Sequence, residues 1–207
     1  LKGINLFDKA VRDGKFASVM HMKHNTFELS NKKILIIGFG RIGRKLIKRC
    51  LGFEMKVYVY DPFVEKKLID SFGGIKVEEL PNGLKEADII SLSVPLTKET
   101  NNMIALNEIK MMKKNAIIIN TSRGGIVNEK DLNDALNNNL IHGAGLDVFT
   151  KEPPDKDNPL LKNNRVVLSP HAATFTQECL SKMSIETAQN IIDFFDGKLN
   201  TNSVVKV

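Results

Sequence analysis

The sequence has no tryptophan, only two cysteines and two tyrosines, and no apolar run of membrane-spanning length. Each absence narrows what the chain can be. A spanning helix needs roughly 18 or more consecutive apolar residues, and the runs here are strand-sized, so no membrane role is expected. Cys50 and Cys179 lack metal-ligand spacing, and each sits in a helix-like segment among apolar neighbours. They read as reduced packing residues of a cytoplasmic protein, and neither a metal site nor a disulfide framework is expected. Lys and Arg number 30 against 24 Asp and Glu, a net charge of +6, but no basic block gathers them and few aromatics are interleaved. A nucleic-acid footprint concentrates its charge on one face or helix, so no nucleic-acid partner is expected. The surplus can still draw anionic ligands to a lysine-rich surface. His21 and His24 have no ligand partner at useful spacing and read as surface residues. The first residues, Leu1-Lys2-Gly3-Ile4-Asn5, form neither a signal peptide nor an initiator start, so the chain is expected to begin inside a longer protein.

What the sequence does contain is concentrated first at Lys33–Gly43. The apolar run Ile34-Leu35-Ile36-Ile37 opens into Gly38-Phe39-Gly40-Arg41-Ile42-Gly43, and a second apolar run, Val57 to Tyr60, ends on Asp61. Strand, G-x-G-x-x-G, helix, strand and acid occur in the order that dinucleotide binding requires. Gly38 permits a tight turn, Gly40 lets the backbone approach a pyrophosphate, and Gly43 lets the helix pack close to the strand. The helix N-terminus presents free N–H groups and a positive dipole to the phosphates. Asp61 is placed to accept from both hydroxyls of the adenosine ribose. A carboxylate there repels a 2′-phosphate, and no Arg immediately follows it, so the expected cofactor is NAD rather than NADP.

Along the rest of the chain, apolar runs alternate with helical patterns. Strands are predicted at 33–37, 56–60, 88–94, 115–120, 141–146 and 165–168, mostly continuous in apolar character, as parallel strands covered on both faces should be. Helices are predicted at 4–16, 41–52, 63–72, 106–112, 128–138 and 176–196. Asn107 and Asn128 are candidate N-caps, Thr174-x-x-Gln177 is a candidate capping box, and Gly197 is a stop signal. The expected fold is α/β: a doubly wound parallel sheet (Rossmann) of about six strands.

Ligands bind such sheets beyond the carboxyl ends of the strands, and the distinctive polar residues fall there. Val94-Pro95-Leu96-Thr97 follows one strand, Asn120-Thr121-Ser122-Arg123-Gly124-Gly125 another, then Asp147, and Ser169-Pro170-His171-Ala172-Ala173 the last. Convergence of several strand ends on one crevice is hard to explain by packing. Arg123, between a strand and two glycines, is a candidate for bidentate recognition of a carboxylate. His171 suits proton exchange with a hydroxyl near neutral pH when a carboxylate meets its other ring nitrogen. Glu152 precedes Pro153-Pro154, which restricts the backbone after it.

Together, Gly38-Phe39-Gly40-Arg41-Ile42-Gly43, Asn120–Gly125, Gly145-Leu146-Asp147-Val148-Phe149 with Glu152-Pro153, and Ser169-Pro170-His171 resemble the signatures of the NAD-dependent D-2-hydroxyacid dehydrogenases. The resemblance runs from about Lys2 to about Gly197. It implies hydride transfer between NAD(H) and a small-molecule 2-hydroxy or 2-keto acid. Arg123 would bind the substrate carboxylate and keto oxygen, His171 would be the acid/base, and Glu152 its partner. Arg41 and Ile42 would meet the pyrophosphate through backbone groups, and Asp61 the ribose. Val94, Thr121, Ser122 and Ala173 would line the cofactor groove, and Asp147 would bind the nicotinamide carboxamide.

The resemblance also implies a two-domain protein, usually a homodimer, whose N-terminal substrate domain is missing from this chain. Residues 1–30 would be an entry helix and loop at the interdomain and dimer contact, 31–173 the NAD-binding domain, and 174–207 a C-terminal helix returning to the substrate domain. The absent part would supply a loop whose backbone amides grip the substrate carboxylate, so this segment alone is expected to bind cofactor with little turnover. An alternative class is an NAD(H)-sensing interaction protein resembling the C-terminal binding protein corepressors, which carry a similar Arg–Glu–His set. Asparagines at Asn115, Asn128 and Asn139 stand where the family has glycine or aspartate; asparagine tolerates the left-handed conformation and caps helices.

Overall fold

In the computed structural model, residues 3–17, 26–200 and 204 are described. His21 and His24 lie outside them. The chain divides into two compact units, Leu1–Leu168 and Ser169–Val207.

In the first unit the continuous apolar runs become β1 (Lys33–Ile37), β2 (Lys56–Tyr60), β3 (Ile75–Lys76), β4 (Ile89–Leu92), β5 (Ile117–Asn120), β6 (Gly143–Leu146) and β7 (Val166–Leu168). Between them lie α2 (Arg41–Gly52), α3 (Lys66–Ser71), α4 (Leu80–Glu86), α5 (Leu106–Met111) and α6 (Glu129–Asn137), with α1 (Ile4–Arg12) ahead of β1. The described strands form one seven-stranded sheet in the order β3-β2-β1-β4-β5-β6-β7. Every pairing is parallel. The direction of winding reverses between β1 and β4, which opens a crevice at their carboxyl ends.

Helices cover both faces, so alternate residues of one strand enter different cores. Leu35 and Ile37 join Leu84, Ile90, Leu92, Ile118 and Leu132 in one cluster. Ile34 and Ile36 join Ile47, Val57, Val59 and Ile69 in the other. α2 turns Gly43, Ile47 and Cys50 inward, the one-face spacing of a helix laid on a sheet. Burial raises the Cys50 thiol pKa, which leaves it an inert packing group, and both cysteines are free.

The opposite edge of the sheet is pinned by Asp88. Its carboxylate accepts from the Lys33 N–H at 2.9 Å and from the Lys113 ammonium at 2.9 Å. One side chain thus ties the entry of β4 to the entries of β1 and β5.

Three elements go beyond the sequence reading, one of them a single 3-10 turn at Pro159–Lys162. β3 holds only two residues, too few for a hydrophobic period to register. α4 carries Pro81 in its first turn and Gly83 inside it, which in sequence reads as a loop. Proline is tolerated at a helix start, and a Cβ at Gly83 would lie 2.9 Å from Leu35 Cδ1, so the missing side chain lets α4 sit low on the sheet without displacing the end of Leu35. Asn128 caps α6, accepting from the Asp131 N–H at 3.0 Å. Asn107 does not cap α5; the helix starts after Ala105, whose N–H is taken by Glu108 at 3.1 Å. Asn139 adopts φ 55°, the left-handed conformation that asparagine tolerates.

The second unit is built on α7 (Gln177–Phe195). Thr176, rather than Thr174, is its N-cap, accepting from the Cys179 N–H at 3.1 Å, and Gly197 follows the helix end at φ 67°. No α7 residue is buried. Met183 is 52 % exposed and Phe195 81 %.

Candidate functional site

The glycine-rich turn connects β1 to α2. Gly38 has φ 96°, and a Cβ there would lie 2.5 Å from the Ser93 carbonyl oxygen. A Cβ at Gly43 would lie 2.3 Å from the Gly38 carbonyl oxygen, so the helix can approach the turn only without a side chain. Gly40 is different. Its backbone is extended rather than left-handed, and a Cβ there would meet nothing within 4 Å. The glycine leaves open space in front of the turn, a cradle that a side chain would fill. The first-turn N–H groups of α2, including those of Arg41 and Ile42, have no intrahelical acceptors. No side chain caps them and no acidic residue stands in that turn, so the positive end of the helix faces the cradle bare.

Asp61 sits at the carboxyl end of β2, adjacent to β1. One carboxylate oxygen accepts from the Phe39 N–H at 2.8 Å and the other from the Phe63 N–H at 3.0 Å. Each oxygen keeps a lone pair for a further donor, so the carboxylate is oriented yet able to take a pair of hydroxyls. Val94, past the end of β4, packs its side chain against the core beside Gly38.

The β5 loop is organised by Asn120, a residue that the sequence reading quoted in a motif but gave no role. Asn120 is 2 % exposed. Its Oδ1 accepts from the Ser122 N–H at 3.0 Å and the Ser122 hydroxyl at 2.8 Å, while its Nδ2 donates to the Arg123 carbonyl at 2.9 Å. Its own carbonyl accepts from the N–H of Asp147, at the end of β6, at 2.9 Å. The signal for it was present: a polar residue closing the apolar run Ile117–Ile119. Ser122 hence spends its hydroxyl proton inside the loop, whereas Thr121 is exposed. Arg123 is exposed, and its guanidinium donates to the Ser122 carbonyl at 2.7 Å.

Gly124 then fits against the β6 loop so closely that a Cβ would lie 1.8 Å from the Phe149 carbonyl oxygen. Glu152 belongs to that second loop, its Oε1 accepting from the Phe149 N–H at 3.0 Å. The loops bearing Arg123 and Glu152 are therefore joined backbone to backbone at the carboxyl edge of the sheet. Asp147 is buried at 3 % exposure. The second unit carries His171 and Ala173. His171 is an exposed residue with φ 53°, and the Phe175 N–H closes a turn onto the Ala172 carbonyl at 2.9 Å. A left-handed non-glycine residue is uncommon, and such outliers gather at functional sites. Among the described residues, no cluster of His, Cys, Asp and Glu could hold a metal ion.

The family described as D-isomer specific 2-hydroxyacid dehydrogenase, NAD binding domain, matches residues 1–173. The chain belongs to this family. It is 40 % identical over 198 residues to a glyoxylate reductase of Korarchaeum cryptofilum, covering 95 % of this chain and 59 % of that protein. It is 42 % identical over 177 residues to a D-3-phosphoglycerate dehydrogenase of Methanocaldococcus jannaschii, covering 86 % of this chain and 34 % of the relative. Among solved structures, D-lactate dehydrogenase with NAD+ from Lactobacillus jensenii matches with TM-score 0.84 and 29 % identity, over 100 % of this chain and 64 % of the other. The chain thus spans about a third to two thirds of the relatives it matches. This D-2-hydroxyacid dehydrogenase domain is an NAD-binding domain, and its residues fit that cofactor: an open cradle at Gly40, an uncapped helix terminus behind it, and an oriented carboxylate at Asp61.

Proposed function

We propose that the protein carrying this chain interconverts a D-2-hydroxy acid and its 2-keto acid with NAD(H). The observation that carries the reading is the pair of fused loops presenting Arg123 and Glu152 at the sheet edge that also bears the Gly38–Gly43 turn and Asp61. The turn shaped by Gly38, Gly40 and Gly43 cradles the pyrophosphate, which Arg41 and Ile42 meet through backbone groups, while Asp61 holds the ribose, Val94, Thr121, Ser122 and Ala173 form the walls, and Asp147 holds the carboxamide. Bound NAD(H) supplies the hydride exchange at the substrate's C2. Arg123 grips the carboxylate and polarises the keto oxygen through its planar fork. His171 takes the hydroxyl proton during oxidation and returns it during reduction, with Glu152 its acid–base partner by the family resemblance. The orientation of these groups, not new redox chemistry, is what the chain contributes.

For the substrate we favour a 3-phosphoglycerate-like 2-hydroxy acid, with glyoxylate the competing choice. We also propose that the whole protein is a homodimer, because α1 leaves Ile4 71 % and Val11 54 % exposed along one face, and that it works in the cytoplasm, which its two free cysteines suit. The test is NADH oxidation by the whole protein against phosphohydroxypyruvate, glyoxylate, pyruvate and hydroxypyruvate. His171→Ala should lower turnover by about 10²-fold or more while leaving NADH affinity nearly unchanged. Silence of the unmutated protein on every keto acid, or full turnover by the variant, would remove the reading.

A further inference from the structure

Phe39 is the one residue with a side chain between Gly38 and Gly40, and every part of it is held. Its N–H donates to Asp61 at 2.8 Å, and its carbonyl accepts from Arg44 Nε at 3.1 Å. Its ring is fully buried and meets Phe72 edge-on, with centroids 5.4 Å apart. The Arg44 guanidinium lies over both rings, 5.6 Å from the Phe39 centroid and 6.0 Å from that of Phe72. Arg44 belongs to the start of α2, and helical side chains lean toward the N-terminus, which carries its Nε back past Gly40.

A cation near a helix N-terminus works against the dipole, so stability of α2 is a poor reason for an arginine there. Flanking glycines also leave the turn with a wide choice of conformations unless something fixes it.

We propose that Arg44 is a positioning residue for the cofactor: by holding the Phe39 carbonyl it sets the pyrophosphate turn, and through Phe39 it couples that turn to the ribose carboxylate of Asp61. The proposal rests on the NAD-binding assignment. Arg44 then acts without touching the cofactor, and its Nε donor matters more than its charge.

That distinction is testable, because a glutamine amide nitrogen sits as many bonds from the backbone as Nε of arginine. Fluorescence titration with NADH and calorimetry with ADP would be run on the unmutated protein and on Arg44→Met, Arg44→Gln and Arg44→Lys. Loss of one hydrogen bond should make Arg44→Met bind both ligands about fivefold to tenfold more weakly. Arg44→Gln should recover most of that loss, and the Phe39 amide should exchange faster in the methionine variant alone. Normal binding by Arg44→Met would overturn the proposal. So would a glutamine variant no better than methionine beside a lysine variant that restores affinity, since charge would then be the agent. Failure of the unmutated protein to bind NADH would instead remove the cofactor assignment beneath it.

Discussion

Asn120 shows how much of this site hangs on single side chains. Three polar contacts of its nearly fully buried side chain shape the loop that ends in Arg123. Asn120→Ala would leave the Ser122 N–H and the Arg123 carbonyl without their partner, at about 1–3 kcal/mol of stability per unsatisfied buried group. Keto-acid KM and NADH Kd should both rise, because the loop carries Arg123 as well as the proposed cofactor-wall residues Thr121 and Ser122, as steady-state kinetics and a separate NADH titration would show. Normal values of both would mean that Asn120 does not shape the loop. Gly124→Ala is a harsher change, since a Cβ would overlap the Phe149 carbonyl; the two loops must part, and thermal melting should register a clear loss. Arg123 was legible in the sequence as a candidate because glycines and a strand end framed it. Asn120 was not, because a polar residue ending an apolar run reads as a boundary until its bonds are seen.

At the scale of elements, long continuous runs were readable and short or glycine-bearing ones were not. β1, β2 and α2 lie where periodicity put them. β3 and α4 escaped because a two-residue strand has no period and because Pro81 and Gly83 act in space rather than in pattern. The amino edge of the sheet makes a prediction about pH. Burial lowers the His142 pKa, helped by Arg165, and the ring packs edge-on against Phe27 with centroids 5.2 Å apart. Burial also pushes Asp88 upward, but the Lys33 N–H and the Lys113 ammonium outweigh it and hold the carboxyl below its ordinary value. Both groups therefore bind more protons unfolded than folded, and stability falls as pH falls. The His142 contribution is complete above its ordinary pKa of 6.5 and is lost as pH drops through the lower folded value. The Asp88 contribution persists to more acid conditions, below 3.8. Urea denaturation from about pH 7.5 to 5.5 should show a declining midpoint, and His142→Phe should flatten it. An unchanged slope in that variant would dissociate the acid sensitivity from this ring. Asp88→Asn should cost about 1–3 kcal/mol at neutral pH through its lost partners.

For the whole molecule, the fold and cofactor class were written in motif order, whereas the substrate was not. Arg123 can recognise the carboxylate that all 2-hydroxy acids share, which says nothing of the remainder of the substrate. The exposed apolar residues of α7 carry a related message: Met183, Ile191 and Phe194 are each more than half exposed, on a helix whose spacing suits a buried face. The spacing was readable in sequence, and this chain spans only part of the length of its relatives.

The central claim is that one sheet edge holds an NAD(H) site made by the Gly38–Gly43 turn and Asp61. Titration of the chain with NADH and NADPH in parallel tests it most directly. One saturable NADH site is expected, with NADPH at least about tenfold weaker, the 1.4 kcal/mol scale of a single misplaced charge, and Asp61→Ala should narrow that gap mainly by weakening NADH. No NADH binding, or equal affinity for both in the unmutated chain, would contradict the account.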